Sequence, residues 1–235
     1  MKKNKISIVI PILNEKKNIL KLIYEIKKKL RGVVYEVIFV DDDSDDGSIN
    51  ILRQINSIDK RFHYLIHKGK NDLTQSCFQG IHKTKNNLIL IMDGDLQHNP
   101  IYIKPLVDNL IKNKTDLVIG SREFKNINIK DLSLIRSFFS KLLIFILKFI
   151  SRKNYIDPMS GFFIFKKKIY TRNKKKFYGK GYKILADFIY NIPNIKVSEI
   201  VIKFRGRKKG NSKMSIKILF LLLIFIFRKL FKPQY

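Results

Sequence analysis

Apolar, β-branched residues come in short runs along this chain, and the segments between the runs are apolar at helical spacing. The runs lie at 6–12, 37–40, 88–92 and 117–119. Segments 15–30, 45–57, 74–84 and 101–113 repeat apolar positions every three to four residues, the period of an amphipathic helix. Strands that are apolar almost throughout, alternating with helices, predict an α/β fold: a doubly wound, mainly parallel sheet covered on both faces. Such sheets bind ligands beyond the carboxyl ends of their strands. Functional residues are therefore expected where the apolar runs stop.

The runs stop on carboxylates. The first ends in Pro11-Ile12-Leu13-Asn14-Glu15, the second in Asp41-Asp42-Asp43-Ser44, the third in Asp93-Gly94-Asp95. Some of these acids are expected only to start helices, Ser44 or Asp45 ahead of 46–57 among them. Asp93 and Asp95 stand two apart at a strand end, which predicts that both point to one side of the sheet. Like charges that close repel unless a cation lies between them, and a hard divalent ion, Mg²⁺ or Mn²⁺, shared with phosphate oxygens fits. Gly94 permits close approach of the backbone. Asn99-Pro100 reads as a cap followed by proline at the first helical position.

Composition sharpens this picture. The 235 residues carry 48 Lys plus Arg against 19 Asp plus Glu, a net charge of +29. Residues 1–120 hold 20 basic and 14 acidic side chains, and residues 121–235 hold 28 and 5, so the excess is +6 in the first part and +23 in the second. Such a cationic half seeks an anionic partner: nucleic acid, a phospholipid surface or a phosphorylated substrate. A hydrophobic content of 45% excludes a disordered polycation. The single cysteine, Cys77, excludes a disulfide framework and a Cys-rich zinc module, and points to a reducing compartment. His63, His67, His82 and His98 show no metal-site spacing. Lys2, Lys3 and Lys5 run straight into residues 6–11, which are strand-like and too short for a signal core.

Taken together the motifs resemble the family-two glycosyltransferases of GT-A fold. The resemblance rests on Ser7-Ile8-Val9-Ile10-Pro11 with Asn14-Glu15, on Val40 to Ser48, and on Met92-Asp93-Gly94-Asp95-Leu96-Gln97-His98-Asn99-Pro100. Gly120-Ser121-Arg122, Arg136 with Ser140, Asp157-Pro158-Met159-Ser160-Gly161, Gly181 to Leu185, and Arg207 with Gly210-Asn211-Ser212-Lys213 resemble the dolichyl- and polyprenyl-phosphate sugar synthases in particular. The resemblance covers roughly residues 5–215.

It implies a hexosyltransferase that moves a sugar from GDP-mannose or a UDP-sugar to a polyprenyl or dolichyl phosphate, with metal dependence and inversion. It implies that Pro11, Leu13 and Glu15 line the nucleotide pocket, with Val40 and Asp42 at the base and ribose. Asp93, Gly94, Asp95 and Gln97 would hold the metal, diphosphate and sugar. Arg122, Arg207 and Lys213 would meet the donor diphosphate and the acceptor phosphate, and Arg136 and Ser140 the lipid phosphate. Asp93, Asp95 and Arg122 are the expected catalytic set. A phosphate monoester attacks as an anion at neutral pH, its second pKa being about 6, so no strong general base is needed. Two departures stand out: no glycine-rich stretch occupies 70–77, and Asp43 replaces the usual Gly or Asn.

Two segments suit the membrane interface. Residues 132–150 are apolar but interrupted by Arg136, Ser137, Ser140, Lys141 and Lys148, and residues 218–227 are ten apolar residues between cations. A spanning helix needs about 20, so both predict amphipathic helices lying in an anionic membrane surface. The expected organisation is a GT-A domain over 1–213, with an interface helix over 214–235. The protein would be membrane-associated (monotopic or peripheral) at the cytoplasmic face, a small membrane-anchoring partner remaining open. Three rivals stand beside this reading. A nucleic-acid binder leaves the acidic strand ends unexplained. A catalytically decayed membrane scaffold is motivated by the altered 70–77 loop. A transferase to a sugar hydroxyl would need a general base, for which Asp157 and Asp187 are the candidates.

Overall fold

In a computed structural model of the chain, residues 5–68, 71–122, 155–181 and 184–204 are described. In chain order the elements are β1 (Lys5–Ile12), α1 (Lys16–Lys29), β2 (Val34–Asp41), α2 (Ser48–Ile58), β3 (Phe62–Ile66), α3 (Leu73–Lys83) and β4 (Leu88–Ile91). A 3-10 turn (Pro100–Tyr102) then runs into α4 (Ile103–Lys112), followed by β5 (Leu117–Arg122) and β6 (Phe163–Lys166). Last come α5 (Lys167–Asn173), a 3-10 turn (Lys174–Lys176), α6 (Ile184–Asn191) and β7 (Val197–Ile202).

The seven strands form one sheet in the order β3-β2-β1-β4-β6-β5-β7. Pairs β1–β2, β1–β4, β2–β3 and β5–β7 are parallel, and only β6 runs against its neighbours, β4 and β5. The expected doubly wound, mainly parallel sheet is therefore present. Alternation along β1 divides the core. Ile6, Ile8, Ile10 and Ile12 pack on one face with Leu22, Leu52 and Leu106 of α1, α2 and α4. Val9 packs on the other with Cys77 and Ile81 of α3 and Phe188 of α6. β6 feeds both faces, Ile164 to the first and Phe163 and Phe165 to the second. No described helix is long and apolar enough to cross a membrane. The segments 132–150 and 214–235 lie outside the described residues.

Strands β1, β2 and β4 lie side by side, so their carboxyl ends, where the acidic motifs follow, form one rim. The helix start after β2 differs from expectation. Neither Ser44 nor Asp45 caps α2. The cap position is Gly47, at φ +85°, and the Asp46 side chain accepts from both the backbone N–H and the hydroxyl of Ser48, at 2.9 and 2.6 Å. Its other oxygen accepts from the Lys16 N–H at 2.8 Å, so a single carboxylate serves the first turns of α1 and α2. Burial alone would raise the pKa of Asp46, but these hydrogen bonds outweigh it and hold the group below its ordinary value. Ser44 and Asp45 lace the two loops together, Ser44 Oγ accepting from Asn14 N–H and Asp45 N–H donating to Asn14 Oδ1. Asn99 does cap the following turn, accepting from the Ile101 N–H.

Helix α3 sits unusually close to the sheet. A Cβ on Gly80 would lie 2.4 Å from Val9 Cγ1 and 3.0 Å from Val40 Cγ2. Alanine is the better helix former by about 1 kcal/mol, but overpacking a core costs about 1–3 kcal/mol. Gly80→Ala is expected to lower the urea midpoint of unfolding, by a net loss of up to about 2 kcal/mol; a raised midpoint would show that α3 can lift from the sheet without cost.

Candidate active site at the carboxyl ends of the strands

Beyond the end of β4 the chain turns sharply, with Leu96 at φ +66°. The strand stops at Ile91, so strand alternation does not place the two aspartates on one side. They occupy different surroundings. Asp95 is buried and accepts from the Gln97 backbone N–H at 3.1 Å, whereas the Asp93 side chain is 39% exposed. Gly94 is required by packing, since a Cβ there would lie 2.7 Å from Ile12 Cγ2. Gly161 makes room for the acid itself: a Cβ on it would lie 2.5 Å from Asp93 Oδ2.

His98 closes the back of this turn. It is buried, stacked on Phe162 at 5.0 Å between centroids, and edge-on to Phe204. The Asp93 N–H donates to His98 Nδ1 at 3.3 Å, which leaves the imidazole proton on Nε2. Burial is the main cause of its low basicity. Arg122 adds to it and Asp95 and Asp157 oppose it, and the pKa falls to about 4. His98 is thus a neutral acceptor, not an ion-pair partner, of Asp93.

Arg122, at the end of β5, grips Asp157 with both arms of its guanidinium, Nε to Oδ2 at 2.6 Å and Nη2 to Oδ1 at 2.9 Å. Asp157 is fully buried, and the guanidinium also lies 5.6 Å over the Phe204 ring. Asp42 is buried and held by His67 Nδ1 at 2.6 Å and by the Ser76 hydroxyl at 3.0 Å. Asp43 adopts φ +68°, which explains why Gly or Asn suits this position and why Asp, also tolerant of the left-handed region, replaces them. Pro11 and Val40 are paired in register across β1 and β2 and are both buried, Val40 under Gly80. Leu13 and Glu15 follow β1, and Glu15 Oε2 accepts from Asn18 Nδ2 at 2.6 Å.

A small cleft opens beside the 93–97 turn. Asp93, Ser160 and Gly161 border it, and Pro11, Met159 and Leu185 supply apolar wall. Cys77 also lines it but is fully buried, and desolvation, reinforced by Asp93, Asp72 and Asp42, pushes its thiol well above the ordinary value. A thiolate nucleophile is absent from this wall. Two buried oxygens near the rim, Asp41 Oδ2 and Thr74 Oγ1, lack a partner among the described residues. No three His, Cys, Asp or Glu side chains among the described residues converge as a complete metal cage.

Of the residues expected at the site, Pro11 and Asp93 border the cleft, Gly94, Asp95 and Gln97 follow Asp93 in the same turn, Arg122 lies within electrostatic reach of Asp93, and Leu13, Glu15 and Asp42 stand on the loops after β1 and β2. Arg136, Ser140, Arg207 and Lys213 lie outside the described residues. His67, Ser76, His98 and Gly161 support the acids without having been singled out for it in the sequence. Only His98 carried a local signal, being five residues after Asp93 in the same turn. Asp72 replaces the missing glycines of the 70–77 stretch: it caps α3 through the Thr74 and Gln75 N–H groups and accepts from the Gly181 N–H at 2.7 Å. Asp187 is spent on the Tyr178 and Gly179 N–H groups and on Asn191.

The fold is that of the GT-A proteins, and comparisons with known proteins specify it further. Residues 7–173 match the family model "Glycosyl transferase family 2", and the chain belongs to that family. It is 32% identical over 227 residues to a dolichol-phosphate mannosyltransferase of Pyrococcus furiosus, covering 95% of this chain and 63% of that protein. It is 27% identical to the protein of the same name from Saccharomyces cerevisiae, covering 91% and 82%. Among solved structures, glucosyl-3-phosphoglycerate synthase from Mycobacterium tuberculosis in complex with Mn²⁺, UDP-glucose and phosphoglyceric acid superposes with a TM-score of 0.76. That likeness, at 15% identity over 98% of this chain and 81% of the other, is one of fold.

The depressed pKa of His98 has a measurable consequence. The unfolded chain binds this proton as pH falls through about 6.5, the folded chain only near 4. Its contribution to stability is therefore complete above about 6.5 and is lost as pH falls toward 4, by at most about 3 kcal/mol. His98→Phe keeps the stacked ring and removes the titration, so the acid limb of the urea midpoint against pH is expected to flatten. The same slope in variant and parent would contradict a neutral His98.

Proposed function

We propose that this chain is a glycosyltransferase that moves a hexose from a nucleoside-diphosphate sugar to a polyprenyl or dolichyl phosphate. The observation that carries the reading is the state of the carboxylates. Asp157 is locked to Arg122, and Asp187 is consumed by backbone amides. Neither is placed to deprotonate a hydroxyl, which favours an acceptor that arrives already anionic. The names of the family and of the archaeal and yeast relatives agree with this. The chain spans 63% of the length of the archaeal relative.

In this reading Pro11, Leu13, Glu15, Val40 and Asp42 border the nucleoside. Asp93, Asp95 and Gln97, with Gly94 between them, face the diphosphate and sugar. The hard oxygens of the 93–97 turn suit Mg²⁺ or Mn²⁺, and three protein ligands leave positions for phosphate and water. Such an ion, when bound, supplies positive charge to the departing diphosphate. Arg122, Arg207 and Lys213 add cationic donors to the two phosphate groups, Arg as a planar fork and Lys as a point charge. Arg136 and Ser140 take the lipid phosphate. The acceptor oxygen attacks the anomeric carbon opposite the leaving group in one displacement, with inversion. Residues 1–213 form the transferase domain and 214–235 an interface helix, and with 132–150 this helix holds the protein on the cytoplasmic face of an anionic membrane.

The test is transfer of label from GDP-mannose and from UDP-glucose to a short polyprenyl phosphate, with Mg²⁺ or with EDTA. An acid-labile lipid product that forms only with the metal is expected. Asp95→Ala is expected to lower turnover by about 10²–10³-fold, the usual effect of removing one electrostatic contact to the transition state. Arg136→Ala should weaken lipid transfer far more than donor hydrolysis. Donor binding without lipid product in the parent protein would overturn the choice of acceptor.

A further inference from the structure

Glu199 lies on the edge strand β7, opposite Ile119 of β5. Its carboxylate gathers donors from two other parts of the chain. Oε1 accepts from the Ser121 hydroxyl at 2.6 Å, the Ile156 N–H at 3.0 Å and the Asp157 N–H at 3.2 Å. Oε2 accepts from the Ile156 N–H at 2.9 Å. All of these donors are neutral. A group facing only donors must be all acceptor, as an ionised carboxylate is; an amide would turn an NH₂ toward one of them.

The segment so held is the one that positions the site. Asp157 presents both oxygens to Arg122, and its carbonyl accepts from the Ser160 N–H at 3.2 Å. Ser160 in turn donates to the Gly120 carbonyl at 2.7 Å, and Gly161 abuts the Asp93 carboxylate. Backbone that would otherwise hang beside a sheet edge is fastened at its start by Glu199 and at its end by Ser160. We propose that Glu199 is a positioning residue: it clasps Ile156–Asp157 to β5, and through Asp157 it holds the Arg122 guanidinium within electrostatic reach of Asp93 at the edge of the cleft. The functional half of this statement rests on the reading of Arg122 as a donor-diphosphate contact. The clasp itself does not.

The test separates the two. In the full chain, the Arg122 Nε–H resonance, assigned by its disappearance in Arg122→Lys, reports the Asp157 contact directly. Glu199→Ala is expected to speed exchange of that proton at least about tenfold, while amides of β5 remain protected. Glu199→Gln, which preserves volume and one acceptor oxygen, is expected to fall between, and it serves if the alanine variant does not fold. Binding of GDP and of UDP with Mn²⁺, measured by calorimetry, is expected to weaken about tenfold in Glu199→Ala. No further weakening is expected when Glu199→Ala is added to Arg122→Ala, whereas a merely structural lesion would weaken both backgrounds alike. Unchanged exchange of the Arg122 Nε–H would overturn the clasp. Faster exchange with unchanged nucleotide affinity would uphold the clasp and overturn the diphosphate role of Arg122.

Discussion

Mutual repulsion of carboxylates at the ends of β1, β2 and β4 is the constraint around which this rim is built. Asp41, Asp42 and Asp46 after β2 and Asp93 and Asp95 after β4 crowd this rim, with Asp157 beside them on the segment that leads into β6, and acids so crowded need donors or cations to meet them. The chain meets them mainly with its own backbone. N–H groups of Ser44, Lys16, Ser48 and Gln97 point at Asp41, Asp46 and Asp95. Asp42 has His67 and Ser76, and Asp157 has Arg122. Each device spends an acid on structure. Asp93, the more exposed member of its pair, keeps its carboxylate on the cleft because Gly161 withholds a side chain there.

Charge on the larger scale follows the same logic. The protein carries +29 in all, with +23 of it after residue 120, yet the described rim is acidic and sets the Arg122 guanidinium among its carboxylates. Such a rim is a poor resting place for two phosphate groups without added cations. A divalent ion and the basic residues of the second half would supply them, so the compositional asymmetry and the acidic cleft become two sides of one requirement.

How much of this could be read from the residues alone follows from how local each determinant is. β1, β2, β4 and β5 and the four helices among them were legible because burial on both faces makes their strands apolar throughout. β3 and β7 are edge strands whose polar positions, as in Phe62-His63-Tyr64 or Val197-Ser198-Glu199, break the pattern. β6 is only four residues long. Cap assignment went to the wrong neighbours, Ser44 and Asp45, because Gly47 takes the cap position and shifts the duty to Asp46. The acidic ends of the strands were legible, whereas their partners were not: His67 is 25 residues from Asp42, and Glu199 is 42 from Asp157. Such pairings belong to the sheet order, not to any spacing in the chain.

The same pairings bear on what the cleft can catalyse. A transferase acting on a sugar hydroxyl must park a carboxylate where it can take a proton, uncommitted and near the anomeric carbon. In this chain the two acids best situated by sequence are each bound by at least two donors, and Asp157 is buried with both oxygens taken up by the Arg122 guanidinium. Freeing either would unfasten the wall that holds Arg122 or the turn at Tyr178–Gly179. Nor does the altered 70–77 stretch signal decay. Asp72 rebuilds through side-chain acceptance what small residues would permit through backbone freedom, and it ties α3 to Gly181 in doing so. A site with Asp157 and Asp187 fastened, its one thiol buried and the cations of the chain concentrated after residue 120 suits the proposed joining of two anions, in which an acceptor phosphate needs no strong base.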